Sequence, residues 1–167
     1  MRAEPQASLF EAEFHRDPDK VRASFKGIIN EASTLPTSHK DLGFPLEIDL
    51  GGISLINSLG LRQWMRFIQD VSARGEVRLV RAPETMVRQF CLVVGSLGSA
   101  SVRSVLAPYR CDACGSTATH ELAIGVDVDP KCYWNEPPTR SCPLCRAESL
   151  FDDVPAAFFL FASNLVA

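Results

Sequence analysis

Two short cysteine pairs, Cys111-Asp112-Ala113-Cys114 and Cys142-Pro143-Leu144-Cys145, constrain the fold of this chain more than any other feature. A Cys-x2-Cys step lets the backbone curl around one ion and bring two sulfurs to about 2.3 Å from it, and two such knuckles complete a tetrahedral set. The 27 residues between Cys114 and Cys142 therefore have to fold so that their two ends meet, as a small ribbon. Zinc prefers four thiolates, and iron can also occupy them. Such a set leaves no open coordination position, and no His-Glu-x-x-His run is present, so the expected zinc ion is structural. Cys132 is an alternate ligand or, more simply, a partly buried apolar residue, and Cys91, between Phe90 and Leu92, has only that second reading.

Six cysteines would also serve three disulfides in an exported protein. The acidic start MRAEPQASLFEAEF, however, lacks the basic and apolar regions of a secretory signal, and no apolar run reaches the roughly 18 residues needed to span a bilayer. A cytoplasmic protein with reduced or metal-bound thiols is expected. With 167 residues, 46% of them apolar, the chain has material for one core and a small appended module. Between Cys111 and Cys145, Lys131 and Arg140 are outnumbered by Asp112, Glu121, Asp127, Asp129 and Glu136. That balance repels a phosphate backbone, so no nucleic acid is expected, even though adjacent Tyr133 and Trp134 would suit base stacking.

Upstream of the cysteines the apolar pattern switches between strand and helix periods. Residues 9–14 and 21–25 flank the turn-forming Asp17-Pro18-Asp19 and read as a hairpin. The polar stretch after Gly27 has room for a short helix. In FPLEIDL, Leu46, Ile48 and Leu50 alternate with Glu47 and Asp49, which suits a strand with outward carboxylates; Gly51 and Gly52 are expected to end it. From Leu61 the period is helical, with Leu61, Trp64, Met65, Ile68 and Val71 on one side, Arg62, Gln63, Arg66, Gln69 and Asp70 on the other, and Gly75 at the end. Residues 77–80 supply a strand, Pro83 opens a helix through Met86, Val87 and Phe90, and 100–106 read as a further strand. Val154, Phe158, Phe161 and Leu165 then follow helical spacing behind Pro155, with Asp152 and Asp153 at the favourable end of the dipole. The order predicts an α/β layer arrangement over 1–110 and 147–167, with a zinc ribbon over 111–146 inserted before the closing helix.

With those elements in place, residues 21–109 resemble a STAS domain, the fold of anti-anti-sigma factors and related bacterial regulatory adaptors. FKGIINEAS resembles that family's first central strand and the turn into its first helix, and FPLEIDLGGISLINSLGLRQWMRF its next strand, Asp-Leu step, connector and second helix. The resemblance implies a mixed sheet covered on one side by helices. It also implies a non-enzymatic adaptor that binds another protein, either a histidine-kinase-like anti-sigma factor or part of a signalling or cytoskeletal assembly. The family's phosphorylation motif falls on Asn57, Ser58, Leu59 and Gly60, which makes Ser58 the phosphorylation candidate. A subgroup with the pattern Ile-Asn-Ser-x-Gly-x-Arg-x-Trp, resembled here through Ile56, Asn57, Ser58, Gly60, Arg62 and Trp64, lacks the acidic residue of that motif. The four-cysteine ribbon departs from a minimal domain of the family.

Ser58 has a physical reading of its own. Placed about two residues before the expected helix, its hydroxyl can cap free N–H groups, and a phosphate there would meet the same groups while adding about −2 charges at one surface point. Asn57 can hydrogen-bond at this turn without bringing a repelling carboxylate. Arg62 and Arg66, a helical turn apart, are either solvated or part of a docking ridge. If Ser58 is only a cap, the alternative is a constitutive scaffold; a second alternative is a nucleic-acid-associated regulator acting through the ribbon, which would need basic residues gathered near the ribbon by folding. His15, His39 and His120 have no matched nucleophile or carboxylate, and GSLGSAS, read as a flexible loop, lacks the Gly-Lys-Ser/Thr ending of a phosphate loop, so no enzyme is expected.

Overall fold

The computed structural model describes residues 9–36 and 42–165. The expected hairpin forms as β1 (Glu11–Arg16) and β2 (Val21–Ile29), paired antiparallel from Glu11↔Lys26 to Arg16↔Val21. β3 (Leu46–Ile56), β4 (Val77–Val80) and β5 (Ser101–Val102) follow in parallel, giving a mixed five-stranded sheet of order β1-β2-β3-β4-β5. Between them run α1 (Ser58–Arg74) and α2 (Glu84–Leu92). The register aligns Val21, Leu46 and Val77 on one face and Arg22, Glu47 and Arg78 on the other. The first set is buried with Trp64, Ile68 and Val71 of α1 and Met86, Val87 and Phe90 of α2, so both helices cover the same face. The opposite face carries ion pairs instead, among them Lys20 to Glu47 at 2.9 Å and Arg81 to Asp49 at 3.0 Å.

Several boundaries differ from the sequence reading. Gly51 and Gly52 do not end β3; the strand runs on to Ile56 beside β2, and a register irregularity opposite Ser24–Lys26 absorbs the glycines. A Cβ on Gly52 would lie 2.8 Å from the Phe25 carbonyl oxygen, so close backbone approach is what this glycine provides. No helix forms among the described residues between Ile29 and Leu46; residues 37–41, with His39, lie outside the described residues. The GSLGSAS segment is held against α1: Trp64 Nε1–H donates to Ser96 O at 2.7 Å and Ser99 N–H to Ser72 Oγ at 2.9 Å.

The strand expected over 100–106 divides between two sheets. β5 ends at Val102, and β6 (Ser104–Arg110) joins β7 (Thr117–Ala123), β8 (Arg140–Ser141) and β9 (Glu148–Phe151) in an antiparallel sheet of order β7-β6-β9-β8. Across the break the chain keeps its bonds to the end of β4, Arg103 N–H to Leu79 O at 2.7 Å and Leu106 N–H to Ala82 O at 2.8 Å. The second sheet thus reaches back to Ser104 and forward to Phe151, beyond the 111–146 expected for the ribbon.

The closing segment is not one helix. α3 (Pro155–Phe158) is a single turn, followed by a 3-10 stretch at Leu160–Leu165. Phe158, Phe159, Phe161 and Ala162 are all buried, while Val154 is exposed. The change to i,i+3 bonding begins with the Ala162 N–H to Phe159 O bond at 2.8 Å, and it lets the adjacent rings at 158, 159 and 161 all be buried, which one α-helical stripe would not. These rings return to α2, with Phe90 and Phe161 6.4 Å apart and the Cys91 thiol 3.4 Å from Phe158 O.

Candidate functional site

Cys111 follows β6 and Cys142 follows β8, so each Cys-x2-Cys segment is the turn of a hairpin, β6 into β7 and β8 into β9. Because β6 also pairs with β9, the two turns lie at one end of the sheet. They repeat one backbone design. Gly115 N–H donates to Cys111 O at 2.7 Å and Cys111 N–H to Ser116 O at 2.9 Å; Arg146 N–H donates to Cys142 O at 2.9 Å and Cys142 N–H to Ala147 O at 2.8 Å. The residue after the second cysteine has positive φ in both, +71° at Gly115 and +65° at Arg146.

The four sulfurs lie within 4.8 Å of one another, with Cys111 to Cys145 at 3.5 Å and Cys114 to Cys142 at 3.7 Å. A disulfide requires about 2.0 Å. Four sulfurs around one tetrahedral ion, each about 2.3 Å from it, sit about 3.8 Å apart. The cluster therefore has the spacing of a metal site, and four soft donors can hold a metal ion there. Cys111 and Cys142 are buried, Cys114 and Cys145 exposed; Cys132, also considered a ligand, is outside the group.

The protonation states point the same way. The Cys145 N–H and the Ser116 hydroxyl bring the Cys142 thiol down to about 5, and the Ser116 hydroxyl and N–H lower Cys114 as well. The Ala147 N–H pulls Cys145 down too, but the surrounding Cys111 and Cys114 sulfurs outweigh it and push Cys145 up to about 12. Sulfurs this close oppose one another's ionisation, as the raised Cys145 thiol shows. A divalent ion removes that repulsion.

The second candidate region is the start of α1. Asn57, not Ser58, is the cap: its Oδ1 accepts the Gly60 N–H at 2.8 Å, and its own N–H donates to Ile29 O at 3.1 Å. Ser58 is the first helical residue and is exposed. Gly60 is buried because the first turn is pressed onto the end of β2, where an added Cβ would clash with the Ile29 carbonyl and lie 2.8 Å from Asn30 N. Glu31 has no local sequence signal for a role at this turn. Its carboxylate accepts from Asn57 Nδ2 at 2.8 Å, a bond that lowers its pKa, so the turn acquires the carboxylate that Asn57 itself lacks. Leu55 and Leu59 are half-exposed beside Ser58. Arg62 points to solvent, and Arg66 borders a cleft lined by Leu35, Gln63, Phe67 and Asp70.

The other residues weighed in the sequence make the following contacts. His15 pairs with Asp17 at 3.2 Å, and His120 packs edge-on against Tyr109 with ring centroids 5.0 Å apart. Tyr133 and Trp134 pack edge-on against each other. Among the described residues no helix is long and apolar enough to cross a membrane. In comparisons with known proteins, the chain matches no family model, no curated protein and no solved structure.

Proposed function

We propose that this protein is a regulatory adaptor that binds another protein through the surface at the start of α1, is switched by phosphorylation of Ser58, and uses zinc on Cys111, Cys114, Cys142 and Cys145 to hold its second sheet. The observation that carries the adaptor reading is the Ile56–Gly60 turn. An exposed serine, flanked by the half-exposed Leu55 and Leu59 and followed by the solvent-facing Arg62, stands on a turn fixed from below by buried Gly60 and by Asn57. Such a surface changes its charge without a change of fold when phosphate is added. The mixed sheet with α1 and α2 on one face supports the resemblance to a STAS domain. Zinc is favoured because the donors are four thiolates arranged without an open position. Bound there, it would supply charge neutralisation and a cross-link between the two hairpin turns.

The test is affinity capture from native extract with wild type, Ser58→Asp and Ser58→Ala, with phosphate mapped on the bound and unbound wild-type chain. A partner kept by wild type and Ser58→Ala but lost from Ser58→Asp, with phosphate on Ser58, supports the switch. One partner set common to all three forms, with no phosphate on Ser58, overturns it in favour of a constitutive scaffold.

A further inference from the structure

The two knuckles match in backbone but not in the residue that closes them. Ser116 and Ala147 occupy equivalent places, each accepting the N–H of the first cysteine of its pair. Ser116 adds a hydroxyl that Ala147 lacks. Its Oγ lies 3.0 Å from Cys114 Sγ and 3.3 Å from Cys142 Sγ, one sulfur from each knuckle. When both are thiolates, the hydroxyl proton is shared between them and the oxygen ties the knuckles together. Cys145, the counterpart of Cys114, has no such donor, although both are exposed.

We propose that Ser116 makes the four-cysteine centre asymmetric, so that Cys145 is the ligand through which it opens to electrophiles and competing chelators. A hydrogen bond to a thiolate stabilises its charge and lowers its nucleophilicity, and it also orients the sulfur toward the ion. Cys114 has that restraint from the Ser116 hydroxyl, and Cys145 does not. With a metal bound, Cys145 would be the thiolate released first, its electron pair remaining on sulfur. Both positions are exposed, and the hydroxyl at Cys114 is the difference between them.

This inference rests on the metal reading above, and the experiment separates the two. The full chain is loaded with zinc, its metal content is read by native mass spectrometry, and it is then treated with less than one equivalent of N-ethylmaleimide before the modified cysteine is mapped. A hydrogen bond of ordinary net strength corresponds to about fivefold in rate. First modification at Cys145 over Cys114 by about that factor or more is expected, falling to about even in Ser116→Ala and restored in Ser116→Thr. Ala147→Ser, which adds a hydroxyl to the second knuckle, should also reduce the preference. Metal-loaded wild type modified equally at Cys114 and Cys145, or a preference unmoved by Ser116→Ala, overturns the proposal and leaves the metal site standing. A chain that takes up no zinc overturns both.

Discussion

Gly60→Ala sets two well-understood effects against each other. In an exposed helix interior, alanine in place of glycine is favourable by about 1 kcal/mol. Gly60, however, is buried in the first turn of α1, where the new methyl would clash with the Ile29 carbonyl and lie 2.8 Å from Asn30 N. Backbone on both sides leaves no flexible side chain to yield. The helix start would have to lift from β2, stretching the Asn57 N–H to Ile29 O bond of 3.1 Å and loosening the Asn57 to Glu31 bond of 2.8 Å. Overpacking of this kind costs about 1–3 kcal/mol and a weakened backbone hydrogen bond about 1 kcal/mol more, so after the propensity gain the net loss is about 2 kcal/mol. Equilibrium urea unfolding should show a lower midpoint with unchanged slope, and thermal unfolding a fall of about 4–8 °C. Ser58→Ala, at an exposed neighbouring position, is the control. A Gly60→Ala protein as stable as wild type, or more so, would refute the close approach of α1 to β2.

Three further outcomes follow from the same geometry. Gly115→Ala should destabilise by about 1–2 kcal/mol because φ there is +71°, whereas Arg146→Gly, at +65°, should be neutral or stabilising; paired unfolding curves check both. Asn57→Ala removes the cap bond to Gly60 and should cost about 1 kcal/mol by the same assay. Asp127 gives a pH signature: burial opposes its ionisation, but the Ala123 N–H at 2.8 Å and Arg140 at 2.7 Å hold its carboxyl below the usual range. A depressed carboxylate stabilises the fold above its unfolded pKa of about 4 and loses that contribution as pH falls through its lower folded value. The stability gap between wild type and Asp127→Asn should therefore be widest near neutrality and close on acidification, and a gap constant down to pH 3 would contradict the assignment.

Where one local signal decides the structure, the sequence was sufficient. The strand Val77–Val80 and the helix opened by Pro83 appear where Gly75 and the change of period place them. The four cysteines converge as their spacing requires. The failures occur where two local readings are equivalent or a distant partner chooses. Asn57 and Ser58 are both good caps, and the Ile29 carbonyl, which takes the Asn57 N–H and excludes a side chain at position 60, selects Asn57. Gly51 and Gly52 look like a strand end until β2 is laid beside them. Glu31 reaches Asn57 from 26 residues away, and at the break the Arg103 N–H is taken by Leu79 O while Ala82 pairs with Ser104 and Leu106 beyond it. Phe158 and Phe159 satisfy an α-helical stripe only in part; both are buried where the α3 turn gives way to the 3-10 stretch. Ser116 had a readable signal: it stands one position beyond the first knuckle's glycine, where the second knuckle has Ala147.

The claim that organises the second sheet is that four sulfurs hold one metal ion. Native mass spectrometry of the full chain, with elemental analysis of the same sample, tests it most directly, using wild type beside Cys142→Ser. The account predicts one zinc ion per wild-type chain, loss of that stoichiometry in Cys142→Ser, and a drop in unfolding midpoint when a strong chelator strips the wild type. A wild-type chain carrying the mass of four protonated thiols, with a stability indifferent to chelator, would contradict it.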